Sequence, residues 1–152
     1  MIKLRPYSST LLAFCGMIMT GIGLYFAFLR PALLPEDVRY IGVSLTDVET
    51  AVPHLTDWLH RVFVVMGGYM VSSGMLTAYV AFSAFRQRTT GIGRIMAVVG
   101  FTSIGWMVVI NFVLASDFRW VLLGFAILWT MALTLYWIER RPEVSRDSRA
   151  FP

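Results

Sequence analysis

The chain has 152 residues, 57% of them hydrophobic and only 14% charged, with a formal net charge of +4. Average soluble domains carry about 25% charged residues, and the mean hydropathy here is +0.68. Four stretches lack any Asp, Glu, Lys, Arg or His, namely Pro6–Leu29, Val62–Phe85, Ile95–Ser116 and Trp120–Ile138, and they hold 89 residues. That excludes a soluble enzyme domain, a nucleic-acid-binding module and a disordered tail.

Each stretch has 19 to 24 residues, and about 20 apolar helical residues cross a bilayer core of about 30 Å. The sequence therefore predicts an all-α integral membrane protein. Its expected form is a four-helix transmembrane bundle with a short helical extracytoplasmic loop between helices 1 and 2. Spans are expected at about 8–29, 58–85, 93–115 and 119–138, with the outer loop at 30–57. Residues 1–141 form one membrane domain, and 142–152 a polar, frayed cytoplasmic tail.

Lys3 and Arg5 before the first apolar run also suit a signal peptide. A secretory apolar region is shorter and ends at small residues, whereas this run ends in Phe28-Leu29-Arg30-Pro31. An uncleaved first span is expected. The single cysteine, Cys15, sits in apolar sequence without a basic neighbour; it excludes an intrachain disulfide and reads as an inert core filler.

In the loop, Pro35-Glu36-Asp37 opens a short helix with acids at its positive end, and Gly42 closes it. Ser44 with Asp47, or Thr46 with Glu49, approximates a capping box for a second helix from about Leu45 to Val52. Leu34, Val38, Ile41, Leu45, Val48 and Val52 recur at helical spacing. Both short helices are expected to rest on the bundle or the lipid interface. After Pro53, apolar and polar residues separate onto two helix faces, so the second long helix starts near His54 and stands about two turns above the membrane. Thr89–Gly93 is a short turn, and Ser116–Arg119 is a tighter one that makes spans three and four an antiparallel hairpin. Tyr40, Trp58 and Trp120 are expected in the outer aromatic belt and Tyr7, Tyr136 and Trp137 in the inner one.

With both termini on one side, that side carries nine cations and three acids, and the other four cations and six acids. Lys and Arg excess marks the cytoplasmic face. The expected location is a bacterial inner membrane, with both termini cytoplasmic. The basic pI of about 9.6 is then a topology signal and an attraction to anionic lipid, with no nucleic-acid partner expected.

Helices in lipid associate through small residues that let backbones approach. Gly67, Gly74 and Ala78 share a face of span two, and Gly68 with Ser72 forms an adjacent small pair. Gly16 with Thr20, Gly23 with Ala27, and Gly93 with Ala97 supply similar pairs. These faces are expected to pack within one bundle. Alternatively, one of them makes a homo-oligomer or docks a larger membrane complex, which leaves the bulkier spans three and four, with Trp106 and Trp129, facing lipid. Asn111 is the costliest uncharged polar group in a span and is expected to bond a neighbouring helix.

His54, Asp57 and His60 form the one stripe that invites a metal or acid–base reading. The two histidines are six residues, or about 9 Å, apart along the helix, which fits chelation poorly. A solvated stripe with an Asp57–Arg61 pair is expected; a weak metal site completed by Glu36, Asp37, Asp47 or Glu49 is the sharper alternative. No nucleotide loop, nucleophile elbow or zinc signature appears, so no catalytic residue, cofactor or metal is expected. The four-span layout with a long first loop resembles that of DoxX-like and other small bacterial membrane proteins, with no motif diagnostic of them. The expected role is a non-enzymatic accessory or scaffold subunit acting by helix packing. One alternative is an oligomeric carrier or channel for a weakly polar solute, lined by Ser72, Ser73, Thr77, Thr102, Ser103 and Asn111. A second is an enzyme or redox accessory using the His54/Asp57/His60 stripe.

Overall fold

A computed structural model describes residues 7–147, with side chains to residue 139. Lys3 and Arg5, and the end of the expected tail beyond Asp147, lie outside the described residues. In chain order the helices are α1 (Tyr7–Phe28), α2 (Pro35–Ile41), α3 (Leu45–Ala51), α4 (Leu55–Val80), α5 (Ile92–Gly100), α6 (Trp106–Val113) and α7 (Arg119–Asp147). Two π-helical turns, Ala81–Phe85 and Phe101–Gly105, extend α4 and join α5 to α6. The protein is thus an all-α bundle with four helices long and apolar enough to cross a membrane: Tyr7–Phe28, Leu55–Phe85, Ile92–Val113 and Arg119–Glu139.

The short helices form where their capping chemistry directs. Gly42 closes α2 at φ +81°, a left-handed conformation that glycine adopts without a steric penalty. Ser44 caps α3: its hydroxyl accepts the Asp47 N–H at 3.1 Å, and the Asp47 carboxylate accepts the Ser44 N–H at 3.3 Å. Thr46 and Glu49 take no part in that cap. Of the apolar loop residues only Val48 is buried, while Ile41, Leu45 and Val52 are exposed.

Hydroxyl side chains accompany both π turns. Ser83 donates to the Tyr79 carbonyl at 2.7 Å, and Ser103 to the Val99 carbonyl at 2.6 Å. Such back-bonding competes with the helical ladder, and a locally wider turn accommodates it.

The tightest packing is between α1 and α4, which run antiparallel. A methyl group added at Gly16 would lie 2.7 Å from the Gly74 carbonyl oxygen and the Ala78 nitrogen. One at Gly23 would lie 2.7 Å from the Val71 nitrogen, and one at Gly67 2.7 Å from the Ala27 nitrogen. Backbone therefore meets backbone at both ends of the contact, which only small residues permit. Gly16, Thr20, Gly67, Gly74 and Ala78 all fall in this seam. Gly68 and Ser72 do not: Gly68 faces open space, and the Ser72 hydroxyl turns back to the Gly68 carbonyl on the outer surface.

The bulky spans divide on the lipid-facing alternative: Trp106 is exposed and α6 has no buried residue, whereas Trp129 of α7 is not at the surface. Helix α7 packs against α1, α5 and α6. Trp129 is buried, and its indole N–H donates to the Met96 carbonyl at 3.1 Å. Gly100 makes room for that ring; a methyl there would sit 2.6 Å from its Cδ1. Tyr136 also leaves the expected inner belt for the core, stacked on Phe85 at 4.3 Å between ring centroids and facing Gly93. Helix α7 continues past Pro142 to Asp147, where the sequence suggests a frayed tail.

This seam makes a sharp prediction. Gly74→Leu should cost about 3 kcal/mol or more, the upper end of overpacking penalties, because a backbone cannot move aside as a side chain can. Gly21→Leu and Gly68→Leu, which meet open space, should change stability little. Reversible unfolding in mixed micelles measures all three.

Candidate functional site

The four spans do not close evenly. Among the described residues helix α1 lies between α4 and α7, while α5 and α6 hold to α7 and α5 meets the second span at its π turn. The helix pairs therefore separate toward the end that carries α2 and α3. A cavity of about 450 Å³ fills the space. Met19 and Phe26 of α1, Phe63 and Met70 of α4, and Met107 and Ile110 of α6 supply much of its wall. The size lies in the usual range for small-molecule pockets.

Helix α2 roofs this space like a strap. On one side, Arg30 at the end of α1 donates to Asp37 of α2 at 3.0 Å and to the Pro31 carbonyl at 3.0 Å. Its guanidinium also lies 3.7 Å from the centre of the Phe63 ring, a cation–π contact that ties the strap to α4. Asp37 accepts the Leu34 N–H at 2.9 Å, satisfying the start of α2. On the other side, the Ser116 hydroxyl in the α6–α7 turn donates to Glu36 at 3.0 Å and accepts the Phe118 N–H at 3.2 Å. Glu36 and Ser116 are only 3% and 2% exposed. The Arg39–Asp117 pair adds a 3.5 Å surface contact, which contributes little by comparison. Seven residues of α2 thus bridge the two halves across the opening.

The opposite end is locked by a second ionic group. Arg88 lies in the α4–α5 turn at φ +58°, a left-handed conformation uncommon outside glycine. It donates to Glu139 of α7 and to the Ser8 hydroxyl of α1 at 3.2 Å, and it lies 4.5 Å from the centre of the Tyr136 ring. Ser8 in turn donates to Glu139 at 2.6 Å. Arg88 and Glu139 are 15% and 13% exposed, so both charges are drawn into the helix ends. The buried Ser9 Oγ and Tyr136 hydroxyl have no hydrogen-bond partner among the described residues.

The other sequence candidates separate. His54, Asp57 and His60 lie on the exposed start of α4, and Asp57 sits 3.5 Å from His54 Nδ1 instead of pairing with Arg61. Glu36, Asp37 and Asp47 are engaged with Ser116, Arg30 and Ser44, and the described residues contain no group of three or more His, Cys, Asp or Glu placed to hold a metal. Asn111 donates to the Met107 carbonyl of its own helix at 2.8 Å, a correction to the cross-helix bond expected of it, and lines the cavity. Ser103 lines it too, whereas Ser72 and Thr102 are exposed and Thr77 is buried on α4, so the six polar residues share no common path. Sequence reasoning missed Arg30, Glu36 and Ser116 as one unit. The available signal was Arg30 and Glu36 flanking a proline-started helix; the position of Ser116 depends on tertiary structure.

No protein-family model, characterised protein or solved structure matches the chain.

Removing one partner of a buried ion pair typically costs about 3–5 kcal/mol, because the other charge is left uncompensated. Arg88→Met and Glu139→Leu should each approach that loss, and the double variant should recover most of it. A double-mutant cycle by unfolding in micelles reads the coupling. At the roof, Ser116→Ala should cost about 1–3 kcal/mol by leaving Glu36 without its donor.

Proposed function

We propose that this is a non-enzymatic multi-pass protein of a bacterial inner membrane that takes up a membrane-dissolved apolar or weakly polar molecule through its flank. The observation that supports this reading is the apolar cavity of about 450 Å³ beneath the α2 strap, whose lining includes the exposed Trp106 and Ile110 of α6. Lipid-soluble molecules reach such a cavity within the bilayer without crossing water. The ionic lock at the other end holds the spans together there, while the strap holds them apart at a fixed spacing. The spans carry no charged residue at mid-depth that would couple transport to ions.

Both termini are proposed to be cytoplasmic and α2 and α3 periplasmic. The support is the asymmetry of Lys and Arg. The buried Arg88–Glu139 pair is neutral as a unit, so it leaves the net charge difference between the two faces intact.

The accessory-subunit role stands as a second proposal, favoured by Gly68 and Ser72, small residues on a face that this chain leaves uncovered. Cysteine placed at Gly68 in intact membranes should form a homodimer or a heterologous crosslink under this second reading, and neither under the first alone.

A photoactivatable alkyl diazirine added to membranes tests the principal reading. Labelling should concentrate on cavity residues such as Met70, Met107 and Ile110, and Met107→Trp, which fills the space, should reduce it several-fold. Labelling spread evenly over outward residues such as Leu76 and Tyr79 would contradict the proposal.

A further inference from the structure

Resting on the cavity-binding reading, we infer that the preferred occupant is an alkyl amphiphile whose head is a hydrogen-bond-donating primary ammonium, received by Glu36. The inference comes from the charge balance at the roof and from the hydrogen bonding of Glu36. Arg30, the cation at the roof, is committed to Asp37 at 3.0 Å and to the carbonyls of Pro31 and Ala32 at 3.0 and 3.4 Å, and it lies against Phe63. Its charge is cancelled locally. Ser116 spends its hydroxyl hydrogen on Glu36, Ser103 spends its own on the Val99 carbonyl, and Asn111 gives an amide hydrogen to the Met107 carbonyl.

Tyr25, Trp106 and Asn111 also line the space and keep hydrogen-bond donors, but among the charged lining groups one base, Arg30, faces two acids, Glu36 and Asp37. Glu36 lines the space and is 97% buried by its 3% exposure, yet Ser116 reaches only one carboxylate oxygen. No described residue donates to the other. A buried carboxylate with one neutral donor is under-satisfied, and the roof carries one more acid than base among Arg30, Glu36 and Asp37. An anionic head would meet that excess with no free cation. An ammonium head supplies both the missing donors and the missing charge, while its alkyl chain lies along Met19, Met70 and Met107. The same chemistry occurs in the ethanolamine head of a membrane lipid and in a free lipophilic amine.

The full chain in phosphatidylcholine nanodiscs, titrated with dodecylamine, dodecanol and dodecanoate and followed by thermal unfolding, tests this. Stabilisation by a ligand tracks its affinity for the folded state. Dodecylamine should bind at least about tenfold more tightly than dodecanol, the effect of one charge-assisted hydrogen bond, and dodecanoate should bind weakest. Glu36→Gln should shrink the amine preference to about twofold or less, while Asp117→Asn, at an exposed acid outside the cavity lining, should preserve it. The comparison of dodecylamine with dodecanol on the unmodified chain keeps the test decisive if Glu36→Gln fails to fold. Equal binding of amine and alcohol, both abolished by Met107→Trp, would overturn the ammonium assignment and leave the cavity reading standing; binding of none of the three would overturn both. Mass spectrometry of lipid extracted from the purified protein separates the two sources. Enriched ethanolamine lipid supports a lipid occupant; none, with dodecylamine still binding, supports a free amine. Enrichment of anionic lipid overturns the inference.

Discussion

The close approach of α1 and α4 governs the rest of the bundle. In a bilayer, apolar side chains gain little by leaving lipid for a neighbouring helix, so association depends on contact distance and shape. Gly16, Gly23, Gly67 and Gly74 bring two backbones so near that no larger residue fits between them. This seam fixes α1 and α4 as one rigid half. Helix α7 then packs on α1 and carries α5 and α6 with it, using Gly93 and Gly100 to seat Tyr136 and Trp129. The second span and α6 have no such seam. Their separation follows from where the small residues are, and the cavity is its consequence.

Two polar groups set how far the halves open. At the terminal end, Arg88, Glu139 and Ser8 draw α1, the α4–α5 turn and α7 together. At the other end, α2 reaches from Arg30 to Ser116. A buried pair with additional hydrogen bonds is fixed in geometry even where its net stabilisation is small. The fold therefore combines a closed base, a cavity walled in part by exposed α6 residues and a roof of defined length. That combination suits capture of a small hydrophobic molecule from the bilayer better than passage of an ion.

Much of this architecture was legible in the sequence, because lipid imposes one-dimensional rules. Runs such as Ile95–Ser116 have the length and apolar character of a span, and Gly42 and Ser44 mark caps by local chemistry alone. The small-residue spacing on the second span pointed to a packing face, although nothing local separated the seam at Gly67 and Gly74 from the uncovered pair at Gly68 and Ser72. The candidate site was less legible. Arg88 and Glu139 enter the sequence only as part of a charge count until the turn folds Arg88 inward, and Glu36 reads as a helix-start acid until Ser116, 80 residues later, meets it. His54 and His60 drew attention by residue type and lie on an exposed face. Pairings across such separations are set by helix order, which periodicity does not encode.

The open flank is the claim on which the functional account depends, and the methionines report on it without mutation. Methyl relaxation by dissolved oxygen, which concentrates in lipid, can be measured on methionine-labelled protein in nanodiscs. Met17 and Met75 face outward and Met96 is sealed between helices, giving the two reference limits. The account predicts that Met70 and Met107 relax close to the outward pair and well above Met96. Relaxation of both as slow as that of Met96 would mean that α4 and α6 close against each other, contradicting it.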